Sequence, residues 1–554
     1  CPQAPMTDIF CIDYSQLTKK ETRVDVVAQT IAELVHRNRM RKETAVVFEA
    51  EAKSFSFQDL HKMSEELACN LLSSGLCPGD RILLLGNNES LFFLSILASA
   101  RVPFIFSAYS PNITSADELK NVINMGSFKA VFLFNSRAGN DRLFSLLCEI
   151  SPEIKGCEKG KVKSVEMPTL THIIQSNEEY LHSASYTFSD LESLRNRKKL
   201  KSLDGWNQHD VAALVFSSGS TSSVRLIQVS HYQLLGGARA VNHAFRLSKE
   251  DKVAVGLALH KGSLLSLLLL SPFLTHCTLI FPDAFLMPGP LFQTIARHRC
   301  SVLLSNGAAL RLLLLLSQRR ATSLSSLLKI LLIGERIHSD IHISLRQAAP
   351  HVSIIAVGYV LSETASIPVM GDHTMNINKL VGKTITGYEA RLEKIPGSST
   401  MGKLMLTTFG RSQFMGTVEK SEEGKEWIDT DDVAEMDKEG HIHIVCPIGD
   451  LIYDEKYRIL NHKAIERTLC LSPLIKGAQL ISAGPGHPII AVCVPKKSPF
   501  DGSFVKAELI MLCRETGIPI PHFFACLEDF PRTNTRVQKY KLREWLKDSK
   551  LTLL

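Results

Sequence analysis

Short apolar runs alternate with amphipathic segments along most of the chain. Continuous apolar runs indicate buried strands, whereas apolar residues three and four positions apart indicate helices packed by one face. The predicted strands cover residues 45–48, 81–85, 102–106, 130–133, 212–216, 253–257, 278–281, 302–304, 328–333 and 354–358. Helical patterns lie between them, for example over residues 60–71 and 116–123. The sequence therefore predicts an α/β fold with mixed or parallel sheets flanked by helices.

Residues 157–204 depart from this rhythm, since they are polar, charged and weakly periodic. We interpret them as a surface excursion, because a run of charges is usually a solvated face. The most apolar stretches, residues 264–273 and 310–316, are too short to span a bilayer. We therefore expect a soluble protein without a transmembrane segment.

Composition narrows the class of protein. A chain of 554 residues exceeds what one hydrophobic core supports, so at least two domains are expected. The formal charge of +7 is small for this length, and basic residues form no block with interleaved aromatics, so a nucleic-acid partner is not expected. The 13 cysteines are scattered, which argues against a disulfide framework or a zinc site and favours a reducing compartment.

The first candidate site follows the predicted strand at 212–216, where the sequence reads VFSSGSTSSVRLIQVSH. Small residues let backbone N–H groups approach an anion, hydroxyls donate further hydrogen bonds, and a guanidinium adds charge. The candidate phosphate ligands are Ser217, Ser218, Gly219, Ser220, Thr221 and Arg225. A Ser-rich turn without a ligand is the open alternative. A P-loop NTPase is less favoured, because the closing Gly-Lys-Ser/Thr is missing.

A second candidate loop ends the strand VGYVLSE and carries Tyr359, Ser362 and Glu363. A hydroxyl beside a carboxylate at the carboxyl end of a strand suits a phosphate contact next to a magnesium ligand. The alternative is an ordinary helix start with Ser and Glu.

Seven segments in order give the chain a family resemblance. They read SFSFQDL, GLCPGDRILLLGNN, VFSSGSTSSVRLIQVSHYQL, LALHKGSL, GYVLSETAS, WIDTDDVAEMDKEGHIHIV and PRTNTRVQKYKLRE. Together they resemble the adenylate-forming enzymes, a superfamily of acyl-CoA synthetases, amino-acid adenylating domains and luciferases. Within it the chain is similar to the mitochondrial medium-chain acyl-CoA synthetases.

The resemblance implies a two-step ligase. A carboxylic acid attacks the α-phosphorus of ATP to give an acyl-adenylate, and the thiol of coenzyme A then displaces AMP, with Mg²⁺ as the metal. It also implies a large N-terminal AMP-binding domain, residues 1–448, and a small mobile α+β domain, residues 449–554, with the hinge near Gly449 and Asp450. Location would be mitochondrial or cytoplasmic, since residues 551–554 are no peroxisomal signal.

Residue roles carry over by position. The nucleotide would be held by the phosphate loop with Arg225, by Ser362 near the α-phosphate, and by the residues Gly334 and Tyr359 (adenine) and Asp432 (ribose). The catalytic positions would be Glu363, which binds Mg²⁺, Arg536, in place of the lysine that bridges acid and α-phosphate, and His260, in the carboxylate pocket. Without the resemblance, His260 fits a satisfied core histidine.

The chain departs from the family pattern at several of these places. The phosphate loop has Ser222, Val224 and Leu226 where the family has Gly, Pro and Gly, and Arg225 replaces Lys. Other replacements are Asp431 for the Gly of T-G-D, Cys446-Pro447 for Gly-Arg, YDEKY at residues 453–457 for a Gly-Gly turn, and Arg536 for Lys. Two functions stay open: a ligase with reduced activity, and a non-catalytic protein of the same fold that retains nucleotide binding.

The substrate is predicted from polarity. Leucines at 264, 265, 303 and 304 lie between His260 and Gly334, and no acidic or basic anchor for an amino acid is evident there. This favours a fatty or other apolar acid. The alternative is that these leucines belong to the core.

Overall fold

The structure is a computed structural model. It describes residues 29–134, 141–194, 207–217, 224–318, 324–334, 339–373, 382–407, 409, 413–415, 427–497, 499–533 and 536–554. Ser218, Gly219, Ser220 and Thr221 of the predicted phosphate loop lie outside these residues.

Nine strands of the described residues form the first sheet. In spatial order they are β16 (Lys383–Thr384), β15 (Ser366–Asp372), β14 (Ile354–Leu361), β13 (Lys329–Ile333), β12 (Val302–Ser305), β10 (Lys252–Val255), β11 (Thr278–Phe281), β1 (Thr44–Phe48) and β2 (Lys53–Ser56). The strands from β14 to β1 are parallel, and β2, β15 and β16 add antiparallel edges.

Eight strands form the second sheet. In spatial order they are β19 (Gln413–Met415), β9 (Leu226–Ser230), β8 (Val211–Phe216), β4 (Ile105–Tyr109), β3 (Arg81–Leu85), β5 (Ala130–Leu133), β6 (His172–Gln175) and β7 (Ser185–Thr187). The strands from β8 to β7 are parallel, whereas β9 and β19 are antiparallel to their neighbours.

A third, antiparallel sheet consists of β17 (Ala390–Lys394), β18 (Met401–Leu406), β20 (Ile428–Met436) and β21 (Ile442–Pro447). A 3-10 turn, Ile448–Asp450, leads from it into the C-terminal part. There β22 (Ile475–Ile481), β23 (Ile490–Pro495) and β24 (Phe523–Cys526) form a sheet, and β25 (Arg532–Thr533) pairs with β26 (Arg536–Val537). The core clusters of this part contain residues from Ile452 onward, which gives a two-domain architecture.

Helices cover the sheets and fill the space between them. Their bounds are α1 Ile31–Arg37, α2 Phe57–Ser73, α3 Ser90–Arg101, α4 Ala116–Met125, α5 Arg142–Ile150, α6 Phe188–Ser193, α7 His231–Ala244, α8 Leu265–Thr275, α9 Pro288–His298, α10 Gly307–Ser317, α11 Ser339–Ala348, α12 His462–Leu469, α13 Gly502–Thr516 and α14 Lys539–Lys547. Sequence sets the starts of several: in SFSFQDL, Ser56 and Asp59 form a capping box that begins α2.

Strand side chains alternate between two cores, as the period of a β-strand requires. Ile82 and Leu84 point into a core that both large sheets share with α2, α3, α7 and α8, whereas Leu83 and Leu85 face α4 and α5. Helices α9, α10 and α11 cover the outer face of the first sheet. The architecture is thus helix, sheet, helix, sheet, helix, and the predicted α/β fold is confirmed.

The apolar run at residues 264–273 belongs to α8, which is buried from Leu265 to Phe273 between the two sheets. A helix that is apolar all round is expected in such a place. In the part of the chain that the structure describes, no helix is long and apolar enough to cross a membrane.

Two predictions about elements were wrong. Residues 157–204 are more than a surface excursion, because β6 and β7 within them extend the second sheet and β6 is buried along its length. The strand predicted at 102–106 begins only at Ile105, because α3 continues to Arg101 and Pro103 then ends the helix by forcing Val102 into extended geometry.

Candidate active site

The hairpin of β8 and β9 carries the predicted phosphate loop between its strands. Ser217 and Arg225 close its base: the Ser217 N–H donates to the carbonyl of Arg225 at 2.8 Å, and the Arg225 N–H donates to the Ser217 Oγ at 2.8 Å. The backbone therefore fixes where the side chain of Arg225 leaves the sheet.

Arg225 reaches two carboxylates from distant parts of the chain. Its Nη2 lies 3.2 Å from Glu363 Oε1 and 3.2 Å from Asp431 Oδ2. The structure thus joins the two loops that the sequence singled out, and it adds a third segment from β20. All three meet near the carboxyl ends of β8 and β14, the edge of parallel strands where ligands of α/β proteins bind.

Glu363 lies in the 3-10 turn Ser362–Thr364 that follows β14, and it is only 3% exposed. The alternative of a helix start is met in part, because Ser362 and Glu363 begin a single 3-10 turn, but the carboxylate in it is buried. Burial raises the pKa of the Glu363 carboxyl above its usual value; Arg225 opposes this shift, and Asp431 and Asp432 add to it. A second cation beside this buried carboxyl would stabilise its charged form further.

Asp431 and Asp432 are adjacent on β20, but their carboxylates contact different residues. Asp431 turns toward Arg225, whereas Asp432 Oδ2 accepts a hydrogen bond from the Tyr359 hydroxyl at 2.7 Å. Burial, with the neighbouring Asp432, raises the pKa of Tyr359 well above its usual value, so the phenol stays a donor. Tyr359, predicted at the adenine, therefore also orients the carboxylate predicted at the ribose.

Gly334 and Ser362 lie at the ends of adjacent strands. Ile333 pairs with Gly358, so Gly334 is level with Tyr359 at the carboxyl end of β13. Gly334 has φ +88, a left-handed conformation that favours glycine. The structure brings Gly334, Tyr359, Ser362, Glu363, Asp432 and Arg225 to one edge of the sheets.

Pro447 is the register partner of Asp432 between β20 and β21. By resemblance this position carries an arginine that touches the nucleotide. Proline has neither charge nor N–H donor. The substitution therefore removes a cation directly beside the predicted ribose acid.

His260 follows β10, and a hydrogen bond to Gly86 fixes the orientation of its ring. Its Nδ1 lies 3.1 Å from the Gly86 carbonyl oxygen, so the proton of a neutral ring is on Nδ1 and Nε2 is an acceptor. Burial lowers the pKa of His260 to about 4, and Lys261 adds to this. His260 is thus a neutral imidazole, and its place in the acid pocket stays a prediction.

Two parts of the sequence argument gain no support. Arg536 has its backbone in β26, opposite Thr533, and its bridging role stays a prediction. The leucines used to predict the substrate are core residues: Leu264 and Leu265 are 1% exposed, and Leu303 and Leu304 are fully buried. The alternative of structural leucines is therefore correct for them.

The pairing of Arg225 with Asp431 was missed from the sequence, although Asp431 was noted beside the ribose acid. The sequence signal is Asp431 itself, a charged residue where the family carries glycine. In the structure it has φ +56, a left-handed conformation that favours glycine. Its carboxylate contacts the guanidinium of Arg225 at 3.2 Å.

The residues present fit a magnesium ion that arrives with a nucleotide. Mg²⁺ is usually bound by one or two carboxylates together with substrate phosphates. Glu363 supplies such a carboxylate, buried and at a strand end. Among the described residues no group of three or more His, Cys, Asp and Glu side chains could hold a metal ion.

Comparison with known proteins defines the class. The family model described as AMP-binding enzyme matches residues 34–404, about two thirds of the chain. The chain therefore belongs to the AMP-binding enzyme family.

Individual relatives are distant but match over nearly the whole chain. The human medium-chain acyl-CoA ligase ACSF2, mitochondrial, is 23% identical over 97% of this chain and 90% of its own. The anthranilate CoA ligase AuaEII in complex with anthranoyl-AMP has a TM-score of 0.72 at 18% identity, covering 94% of this chain and 98% of its own. ATP-bound MatB from Rhodopseudomonas palustris has a TM-score of 0.70 at 18% identity, covering 95% and 99%.

Proposed function

We propose that the chain is an ATP-dependent acyl-CoA ligase that activates a fatty or other apolar carboxylic acid. The observation that carries this proposal is the meeting of Arg225 with Glu363 at 3.2 Å, which unites the phosphate hairpin with the predicted metal ligand. We place the division between the two domains at Gly449.

In the first step the acid's carboxylate oxygen forms a bond to the α-phosphorus of ATP, and the bond from that phosphorus to pyrophosphate breaks. Negative charge then spreads over the phosphoryl oxygens, so electrostatic positioning supplies most of the rate. Magnesium, when bound, neutralises phosphate charge, and Glu363 would hold it. Arg225 turns its guanidinium to the β and γ phosphates, and Ser217 and Ser362 donate hydroxyls.

The nucleotide must keep one orientation during this displacement. Asp432 accepts the hydrogen bonds of the ribose hydroxyls, and Tyr359 holds that carboxylate by a 2.7 Å hydrogen bond. Gly334 and Tyr359 flank the adenine. Arg536, from the C-terminal domain, bridges the substrate carboxylate and the α-phosphate, with a planar fork in place of an ammonium.

In the second step the sulfur of coenzyme A forms a bond to the acyl carbon, AMP leaves with the electron pair, and the thiol proton passes to water. The neutral His260 lines the acid's pocket, held in place by Gly86. An apolar acid is supported by the name of the human relative, a medium-chain acyl-CoA ligase, and the same relative supports a mitochondrial location.

A second candidate is a non-catalytic protein that binds nucleotide on this fold. It is favoured by Pro447, which lies opposite Asp432 in place of a cation. It is also favoured by Asp431, because its carboxylate pairs with the Arg225 guanidinium, which is then less available to phosphate. Both substitutions reduce positive charge where a triphosphate would bind.

The test is pyrophosphate release by the full chain with ATP, Mg²⁺ and a panel of short-, medium- and long-chain fatty acids, with and without coenzyme A. We expect release with at least one acid, and Glu363→Ala should lower the rate by about 10²-fold or more, as loss of an electrostatic group typically does. Glu515→Ala, which changes an exposed glutamate on helix α13, is the matched control and should keep wild-type activity. ATP binding by calorimetry without release for any acid would reject the ligase in favour of the second candidate.

A further inference from the structure

One nitrogen of Arg225 is shared by two carboxylates. Nη2 is 3.2 Å from both Glu363 and Asp431. The side chain of Arg225 is 37% exposed, that of Glu363 4% and that of Asp431 27%. The buried Glu363 contact is protected from water, whereas the Asp431 contact lies at the open side of the site. A ligand that enters from solvent therefore meets Asp431 as well as Arg225.

The position of Asp431 is set by its backbone. Its φ of +56 turns β20 locally, and its N–H donates to Asp429 Oδ1 at 2.9 Å. Aspartate tolerates this left-handed conformation better than most residues. A glycine there would leave the turn possible and would remove the carboxylate, so the contact with Arg225 depends on this one side chain.

The two carboxylates differ in what a nucleotide would do to them. Glu363, as proposed above, gains Mg²⁺ when ATP binds and so exchanges one cation for another. Asp431 gains no such partner, so its contact with Arg225 is lost when the guanidinium turns to phosphate, and its charge remains close to the triphosphate. The negative charges of Asp431 and of the triphosphate then repel each other, and this repulsion opposes ATP binding.

We infer that Asp431 is a positioning residue that weakens ATP binding, because it holds Arg225 away from the β and γ phosphates and repels them. This inference rests on the proposed function, since ATP is taken as the ligand. It makes Asp431 one determinant of nucleotide affinity in this chain.

The test compares Asp431→Asn and Asp431→Gly with the wild-type full chain. Asparagine keeps the left-handed turn and removes the charge, whereas glycine removes the whole side chain. Asp429→Asn is the matched control, because it removes the charge that pairs with Lys403, while the asparagine Oδ1 can still accept the Asp431 N–H. Calorimetric titrations use Mg·ATP and AMP, at low and at high salt.

We expect both Asp431 variants to bind Mg·ATP roughly 2- to 5-fold more tightly at low salt, the range of a partly exposed charge contact. High salt should reduce this gain, because it screens exposed charges. AMP lacks the β and γ phosphates, so its affinity should change less than about 2-fold, and Asp429→Asn should bind as the wild type does.

Unchanged or weaker ATP binding in both Asp431 variants, with the wild type binding ATP, would overturn this inference and leave the proposed function standing. Equal gains for ATP and AMP would also overturn it, since they would indicate a structural effect on the pocket. Failure of the wild type and of both variants to bind any nucleotide would overturn the proposed function, and this inference with it.

Discussion

At the scale of the residue, Glu363 carries a charge that the fold does not favour. Its pKa is raised by burial, and this exceeds what Arg225 restores. A carboxyl with a raised pKa contributes stability while it is protonated, and that contribution is lost as pH rises through the pKa of the folded state. At neutral pH the ionised Glu363 therefore lowers the stability of the folded protein, although the proposed chemistry requires this carboxylate.

Glu363→Gln should make the nucleotide-free protein equally or more heat-stable at neutral pH. The amide resembles the protonated carboxyl, so the variant avoids the unfavourable charge. The measurement is the thermal midpoint against pH. The advantage of the variant should shrink as pH falls and the wild-type carboxyl takes up its proton.

Glu455→Gln, which changes an exposed glutamate, should leave the midpoint unchanged throughout. A clear loss of stability in Glu363→Gln at neutral pH would mean that the ion pair with Arg225 outweighs burial. The same variant should bind Mg·ATP more weakly than the wild type, because an amide is a poor magnesium ligand.

Sequence could predict most single residues of the site but not their pairing. Arg225, Glu363 and Asp432 belong to motifs with a recognisable order, and the structure brings them to one edge. The contact of Arg225 with Asp431 spans 206 positions and depends on which way a left-handed aspartate turns. Tyr359 was placed by motif, yet its hydrogen bond to Asp432 follows from the neighbouring sheet, which local sequence does not encode.

At the scale of the element, helix α14 is tied to the predicted hinge. The Arg543 Nη1 donates to the Gly449 carbonyl at 2.6 Å and lies 3.6 Å from Asp450 Oδ1. The same 3-10 turn is closed by the Leu451 N–H, which donates to the Ile448 carbonyl at 3.2 Å. One arginine of the last helix thus fixes the segment that joins the domains.

Arg543→Ala should loosen this turn. A hydrogen bond from a charged group contributes about 1.5–3 kcal/mol, so the Leu451 amide should exchange its hydrogen at least about 10-fold faster. Hydrogen exchange read by mass spectrometry or NMR measures this. Lys547→Ala, on the exposed end of the same helix, is the control and should leave the exchange unchanged. Equal protection in Arg543→Ala and wild type would show that the turn is stable without the arginine.

Strands were predictable where at least three apolar residues follow one another. The predictions of β11, β3 and β5 were correct to the residue, because each contains such a run. Strands β6 (HIIQ) and β7 (SYT) have at most two consecutive apolar residues, and their place is decided by pairing, of β6 with β5 and of β7 with β6. Short edge strands depend on the sheet more than on their own sequence.

At the scale of the whole molecule, the two large sheets share one core, and buried polar groups join distant elements within it. His231, the first residue of α7, is fully buried, and its Nδ1 accepts the Ile31 N–H at 3.2 Å, so it connects α7 to α1. Only a neutral ring with its proton on Nε2 can accept this bond. Burial lowers the pKa of His231 to about 4, although Asp210 opposes the shift.

This arrangement makes stability depend on pH. A histidine with a lowered pKa contributes stability that is present above its usual pKa of 6.5 and is lost as pH falls toward about 4. For His231 alone the loss should be roughly 2 kcal/mol by pH 5. His462, also buried and with its pKa lowered to about 4, should add to it.

His231→Asn isolates this effect, because the asparagine Oδ1 can accept the Ile31 N–H in place of Nδ1 but does not titrate near neutral pH. The thermal midpoint of the variant should fall less between pH 7 and pH 5 than that of the wild type. Substitution of the exposed His209 by Asn is the control and should leave the wild-type slope unchanged. Parallel pH curves for His231→Asn and wild type would mean that the shared core tolerates the charged ring. In that case the acid sensitivity of the two-sheet body would have to come from its carboxylates instead.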